Sequence, residues 1–199
     1  MNKVRPLPPR VDFSFNVGYG WLPKTEGLTG TDKQFDDKLT SGLAWDLAFH
    51  HYIKNFGWGI FYSGYSSDSY YEKTNMDHNV LLSYIAPLFC TKYSFNKKWM
   101  INGEVGVGYL KFSDKISSGI EKGKTYVSTV GFNYGIGIEY KLNKHMGIGI
   151  SFNEIVGSAF LKNIKMENVH SIIAYNDYDR INLNRLNLLG GIRFYFGDR

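Results

Sequence analysis

Cysteine is almost missing from this chain, with Cys90 the single example. That excludes an internal disulfide framework and any cysteine-based zinc site. Long apolar runs are missing too. A spanning helix needs ~18 or more apolar residues, and the longest candidate, VLLSYIAPLFC, is shorter and interrupted by a proline. Insertion as a membrane helix is excluded. Lys and Arg outnumber Asp and Glu by 23 to 18, but the basic residues are scattered and form no stripe or recognition motif. Nucleic acid is therefore not an expected partner. The opening MNKVRPLPPR leads into no apolar stretch, so no signal peptide is expected within it.

What the chain does have is alternation. Aromatic residues make up 17% and glycines number 22 among 199 residues, a bias toward strands and turns. VDFSFNVGYGW (11–21) sets Val11, Phe13, Phe15, Val17, Tyr19 and Trp21 against Asp12, Ser14, Asn16, Gly18 and Gly20. Period two of this quality reads as a strand. The pattern recurs at 42–50, where Leu43, Trp45, Leu47 and Phe49 oppose Ala44, Asp46, Ala48 and His50, and again at 56–63. A fourth strand spans about 79–93, with Val80, Leu82, Tyr84, Ala86 and Leu88 taken as its apolar side and Pro87 as a bulge or rim irregularity. The fifth is 99–112. The sixth and seventh flank the hinge at 143–145, and the eighth is LNLLGGIRFYF, 186–196.

The apolar face so read holds no charge, and the opposite face is glycine with isolated ions. A soluble sandwich or lipocalin-like barrel would turn the bulky face inward and show water Lys, Glu and Thr. Glycine is a poor solvated strand surface. The reverse arrangement explains the pattern: bulky side chains meet lipid and the small face lines a narrow lumen. An eight-stranded barrel has room inside only for side chains, so many of those inward must be small. Tyr19, Trp21, Tyr62 and Tyr109 are expected in one aromatic girdle. Tyr52, Phe56, Trp99, Tyr140, Phe194 and Phe196 are expected in the other. The connections alternate long and short: 22–41, 51–55, 66–78, 94–98, 113–125, 143–145 and 154–184. Long extracellular loops and short periplasmic turns are the habit of outer-membrane barrels, which sets both termini in the periplasm.

The closing LLGGIRFYF, ending on Phe196 before Gly197, Asp198 and Arg199, resembles the final-strand signal of small eight-stranded outer-membrane barrels, the family of the OmpA transmembrane domain and OmpX. IAPLFCTKYSFNKKWMINGEVGVGYL (85–110) resembles a hairpin common in such domains. The resemblance implies architecture rather than activity. Unlike full-length OmpA, no peptidoglycan-binding domain is expected after the last strand.

Chemistry was sought on the same map. Asp46 and His50 share the inward face but stand ~13 Å apart along a strand, too far for a direct dyad. His170 and Ser171 are sequence neighbours, pointing oppositely on any strand, and Asp77 with His78 reads as a solvated rim pair. No catalytic residue, cofactor or metal is expected. Asp12, Asp46, Glu104, Glu139, Lys141 and Arg193 are expected to form an ionic network filling the lumen, with Glu104 and Arg193 treated as partners; a gate or narrow ion path is the functional alternative. In the last loop, Phe160, Ile164, Val169, Ile172 and Ile173 form a candidate surface for a protein partner. Lys54, Lys92, Lys97, Lys98, Lys144 and His145 are candidate headgroup contacts.

The reading is an all-β, eight-stranded antiparallel up-and-down transmembrane β-barrel over 11–196, with periplasmic tails at 1–10 and 197–199, in the outer membrane of a Gram-negative cell. It is expected to be non-enzymatic, acting in surface interaction, envelope integrity or as an accessory subunit of a larger outer-membrane complex. Its surroundings are outer-membrane lipid and lipopolysaccharide. The alternatives are an enzyme modifying lipid A or phospholipid and a narrow ion channel.

Overall fold

A computed structural model describes residues 7–22, 40–71, 76–118, 121–160, 165–167 and 180–197. Its strands are β1 (Val11–Trp21), β2 (Ser41–Ile53), β3 (Phe56–Tyr71), β4 (Met76–Ser94), β5 (Trp99–Ser118), β6 (Glu121–Lys141), β7 (Met146–Phe160), β8 (Lys165–Glu167), β9 (Arg180–Asn182) and β10 (Arg185–Phe196). Each long strand pairs antiparallel with the next. β1 pairs with β2 on one edge and β10 on the other, closing an eight-stranded barrel. β9 carries β10 further in the same register against β7, and β8 pairs with the far end of β6.

The side chains point as the lipid-facing argument requires. Phe15 (41% exposed), Trp58 (53%), Ile136 (63%) and Ile150 (58%) cover the outside, while Asp12, Ser14, Asn16 and Asp46 are buried within. Glycine serves packing on both surfaces. A Cβ on Gly20 would lie 2.8 Å from both the Tyr65 ring and Asn187 Oδ1 inside the lumen. On the outer face, Gly64 leaves its backbone as a seat for the Trp45 indole, which a side chain there would strike.

One end of the barrel carries tight turns, built alike. Asn96 Oδ1 accepts from the backbone N–H groups of Lys98 and Trp99 at 2.8 and 2.9 Å. Asn143 Oδ1 does the same for His145 and Met146. Asn caps such turns because its side chain reaches its own backbone two residues on. In the third turn Lys54 takes φ 61°.

The fold departs from the sequence reading in five places. The fourth strand is turned over: Val80, Leu82, Tyr84, Ala86 and Leu88 are buried in the lumen, and Leu81, Ile85 and Phe89 face outward. Both of its faces are apolar, so alternation could not choose. The inward face is the one that also holds Lys92, which lipid would not accept. Lys92 is accordingly fully buried rather than at a headgroup. Tyr52 points into the lumen and takes no part in a girdle. The connections expected at 66–78 and 113–125 are mostly strand, since β3 to β6 run for 16, 19, 20 and 21 residues. Beyond lipid a strand no longer needs an apolar face, so the pattern used to bound it fades. Pro87 makes no bulge, because Ile85↔Tyr109 and Leu88↔Gly106 keep one register across it. The β4–β5 ladder simply omits the pairs between, as expected where proline lacks a donor, while the β3 side stays paired at Ile60↔Pro87.

Candidate functional site

The lumen collects nearly all of the buried polar chemistry. Strand parity determines which residues enter it: in β1, β2, β4, β5, β6 and β10 the inward set is the one carrying Asp12, Asp46, Lys92, Glu104, Glu139 or Arg193, because charge facing acyl chains is expensive.

The network begins near the turn end. His50 engages Asp12 through Nδ1 at 2.7 Å and Glu104 through Nε2 at 3.3 Å. Lys92 donates to the other oxygen of Asp12 and to both oxygens of Glu139, at 2.9 and 3.1 Å. Its ammonium also lies 5.2 Å from the Tyr52 ring centroid and 5.7 Å from that of Tyr195. Arg193 Nε donates to Glu139 Oε1 at 3.2 Å, and the Tyr195 hydroxyl donates to Glu139 Oε2 at 3.2 Å. From Arg193 the chain of bonds passes to Asn16, then to Asp46, then through Asn153 to Asn187. Seven of the eight wall strands join this path, and Arg185 reaches the remaining one, β3, by donating to Ser63 Oγ at 2.5 Å.

Toward the other end the filling turns apolar, with Phe61, Leu82, Tyr84, Leu110, Ile155 and Leu189 packed together. The space left among Asp46, His50, Glu104 and Arg193 is about 10 Å³, enough for a single water molecule.

Of the residues picked from sequence, Asp12, Asp46, Glu139 and Arg193 lie buried in this one network, and Glu104 joins it through His50. Lys141 is half-buried at the turn end, its ammonium 5.5 Å from the Tyr195 ring centroid. Glu104 and Arg193 are not each other's partners. Asp46 and His50 bond to different groups and form no dyad. Sequence reasoning missed His50, Lys92, Tyr195 and Asn16 as network members; Lys92 was recoverable, because it shares parity with Tyr84 and Leu88. Phe160 is half-buried under the Arg180 guanidinium, 4.3 Å from the ring centroid. Ile164, Val169, Ile172, Ile173, His170 and Ser171 lie outside the described residues, as does the side chain of His78; Asp77 is exposed. Among the described residues, no cluster of His, Cys, Asp and Glu is arranged to hold a metal ion.

No family model matches the sequence, and no curated protein matches it either. The fold has clear counterparts. Neisserial surface protein A superposes with a TM-score of 0.59 at 9% identity, over 94% of this chain and 97% of that one. The outer membrane protein OprG from Pseudomonas aeruginosa gives 0.55 at 14% identity, over 97% and 98%. The outer membrane protease OmpT from Escherichia coli gives 0.50 at 8% identity, over 98% and 99%. At such identities the likeness is one of fold.

Proposed function

We propose that this chain, which has the fold of the small outer-membrane β-barrels, works in the outer membrane of a Gram-negative cell as a non-enzymatic barrel whose interior is sealed and whose business is done on its outward surface. The observation that carries this reading is the filled lumen. Among the described residues, ions bonded to one another occupy the turn-end half, an apolar cluster with the buried Arg185 occupies the other, and the space among Asp46, His50, Glu104 and Arg193 holds about one water. A continuous pore has nowhere to run. A general base needs a free nitrogen or carboxylate, whereas both ring nitrogens of His50 are engaged by carboxylates. The protease fold relative keeps the enzymatic alternative in view, and the filled lumen argues against the channel.

The tight turns and both termini lie at one end, which we assign to the periplasm with the short tails at 1–10 and 197–199. The other end extends well beyond the membrane. Crossing needs ~9–11 residues, and β5 and β6 have 20 and 21. The excess, roughly ten residues at ~3.3 Å each, raises the hairpin about 25 Å above the lipid once strand tilt is allowed for. These hairpins, with Phe160 and the segment that follows it, are the surface offered to a protein partner or a larger outer-membrane complex.

The test is reconstitution of the chain in planar bilayers, beside pull-down from native membranes. A silent bilayer is expected, together with a co-purifying protein that is lost when 112–127 is replaced by a tight turn. Discrete conductance altered by Glu139→Gln, or turnover of lipid A or phospholipid by the purified barrel, would overturn the reading.

A further inference from the structure

On the outer face of β5, β6 and β7 lies a groove of about 580 Å³ that the lumen does not explain. Its floor is Val107, Val130 and Val156, at the level where the wall is apolar; its upper wall is Arg180, Asn182 and Asn184. Among the described residues, β6 and β7 pair as far as Gly131↔Gly157, and β9 pairs with β7 just above that point.

Charge gathers above the groove. Lys111 and Lys115 share the outward face of Val107, and Lys124 shares that of Val130. Lys115 and Lys124 are direct cross-strand partners. Like charges so placed are destabilising on their own, and an anion between them removes the penalty. Arg180 places its guanidinium over the Phe160 ring, 4.3 Å from the centroid, and guanidinium N–H groups suit an anionic ligand. It stands about three strand widths, ~14 Å, from Lys111. The carboxylate among the described side chains on this wall, Glu154, is bonded to the Tyr134 hydroxyl.

An apolar trough at acyl depth that runs up into cations and amides matches an amphiphile with an anionic head. We propose that the groove holds one molecule of lipid A from the surrounding leaflet, an acyl chain along Val107, Val130 and Val156 and its phosphates on Arg180 and the Lys111–Lys124 row. The proposal rests on the orientation given above, which turns this end toward lipopolysaccharide.

The experiment is native mass spectrometry of the full chain after exchange into phosphatidylcholine nanodiscs carrying either lipid A or phosphatidylglycerol, with inorganic phosphate as a third arm. One retained lipid A per barrel is expected. Retention should fall about tenfold in Arg180→Gln with Lys111→Gln, from the loss of charged hydrogen bonds, and equally in Val130→Trp, which fills the trough from a lipid-exposed position. Heat-shifted mobility on a gel verifies that each variant is a folded barrel. Unchanged retention in the variants overturns the site. Equal retention of phosphatidylglycerol overturns the choice of lipid A, and equal binding of inorganic phosphate overturns the role of the trough. Orientation is read separately, by surface labelling of Ser117→Cys in a Cys90→Ser background on whole cells. Failure to label sinks the orientation and leaves binding in nanodiscs untouched.

Discussion

Lys92 Nζ stands 2.9 Å from Glu139 Oε2 and donates in the same moment to Asp12, so one ammonium joins β4 to β6 and β1 across the bore. Both acidic partners and the lysine itself are almost wholly withdrawn from solvent. Removing one member of such a cluster strands the others. Lys92→Met should lower barrel stability by about 3–5 kcal/mol, whereas Lys141→Met, half-exposed at the turn end, should change it by less than ~1 kcal/mol. Urea unfolding in lipid vesicles, followed by gel mobility, compares the two; equal losses would contradict the assignment.

Glu104 bonds His50 and Arg193 bonds Glu139. A double-mutant cycle separates this from the simpler pairing of Glu104 with Arg193. Coupling of about 1 kcal/mol or more is expected for His50→Ala with Glu104→Gln. For Glu104→Gln with Arg193→Met it should be clearly smaller, since only shared neighbours connect them. A larger coupling in the second cycle would mean that the network is wired otherwise.

Glycine on the inward face is there for room. Gly20→Val meets Tyr65 and Asn187 at once and should destabilise by about 1–3 kcal/mol. Gly190 is exposed on the lipid side, its nearest obstruction a carbonyl 4.0 Å from an added Cβ, so Gly190→Ala should stay within about 0.5 kcal/mol. The same unfolding titration decides between them.

The facing of β4 is open to a direct chemical check. Cys90 is buried in the lumen and Phe89, one residue away, is 58% exposed. In the folded barrel a lipid-soluble maleimide should leave Cys90 unmodified and label Phe89→Cys in a Cys90→Ser background. Rapid labelling of Cys90 would put the strand the other way round.

Much of this molecule can be read from its letters, and the failures are as informative as the successes. β1, with Val11 and Phe13 out and Asp12 and Ser14 in, is unambiguous because only one face tolerates lipid. β4 is ambiguous because Leu82 and Leu81 satisfy lipid equally well. A one-residue slip flips every side chain, and the lone discriminator is the charge on Lys92 four positions beyond Leu88. The extents of β3 to β6 were illegible for a different reason: Ser66, Ser67 and Asp68 continue a ladder whose hydrogen bonds are backbone and leave no trace in side-chain polarity. The membership of the ionic network could be guessed from parity, but its pairings depend on how strands of different tilt meet across the bore. Only the folded barrel places His50, rather than Arg193, against Glu104.

Asn16 lies on the first strand and Arg193 on the last, and the bond between them crosses the seam where those two strands meet. A half-inserted ribbon would hold that guanidinium short of an acceptor in a hydrocarbon medium until the first and final segments zip together. Whatever helps this wall enter the membrane has reason to keep its two margins in contact with water until they can join.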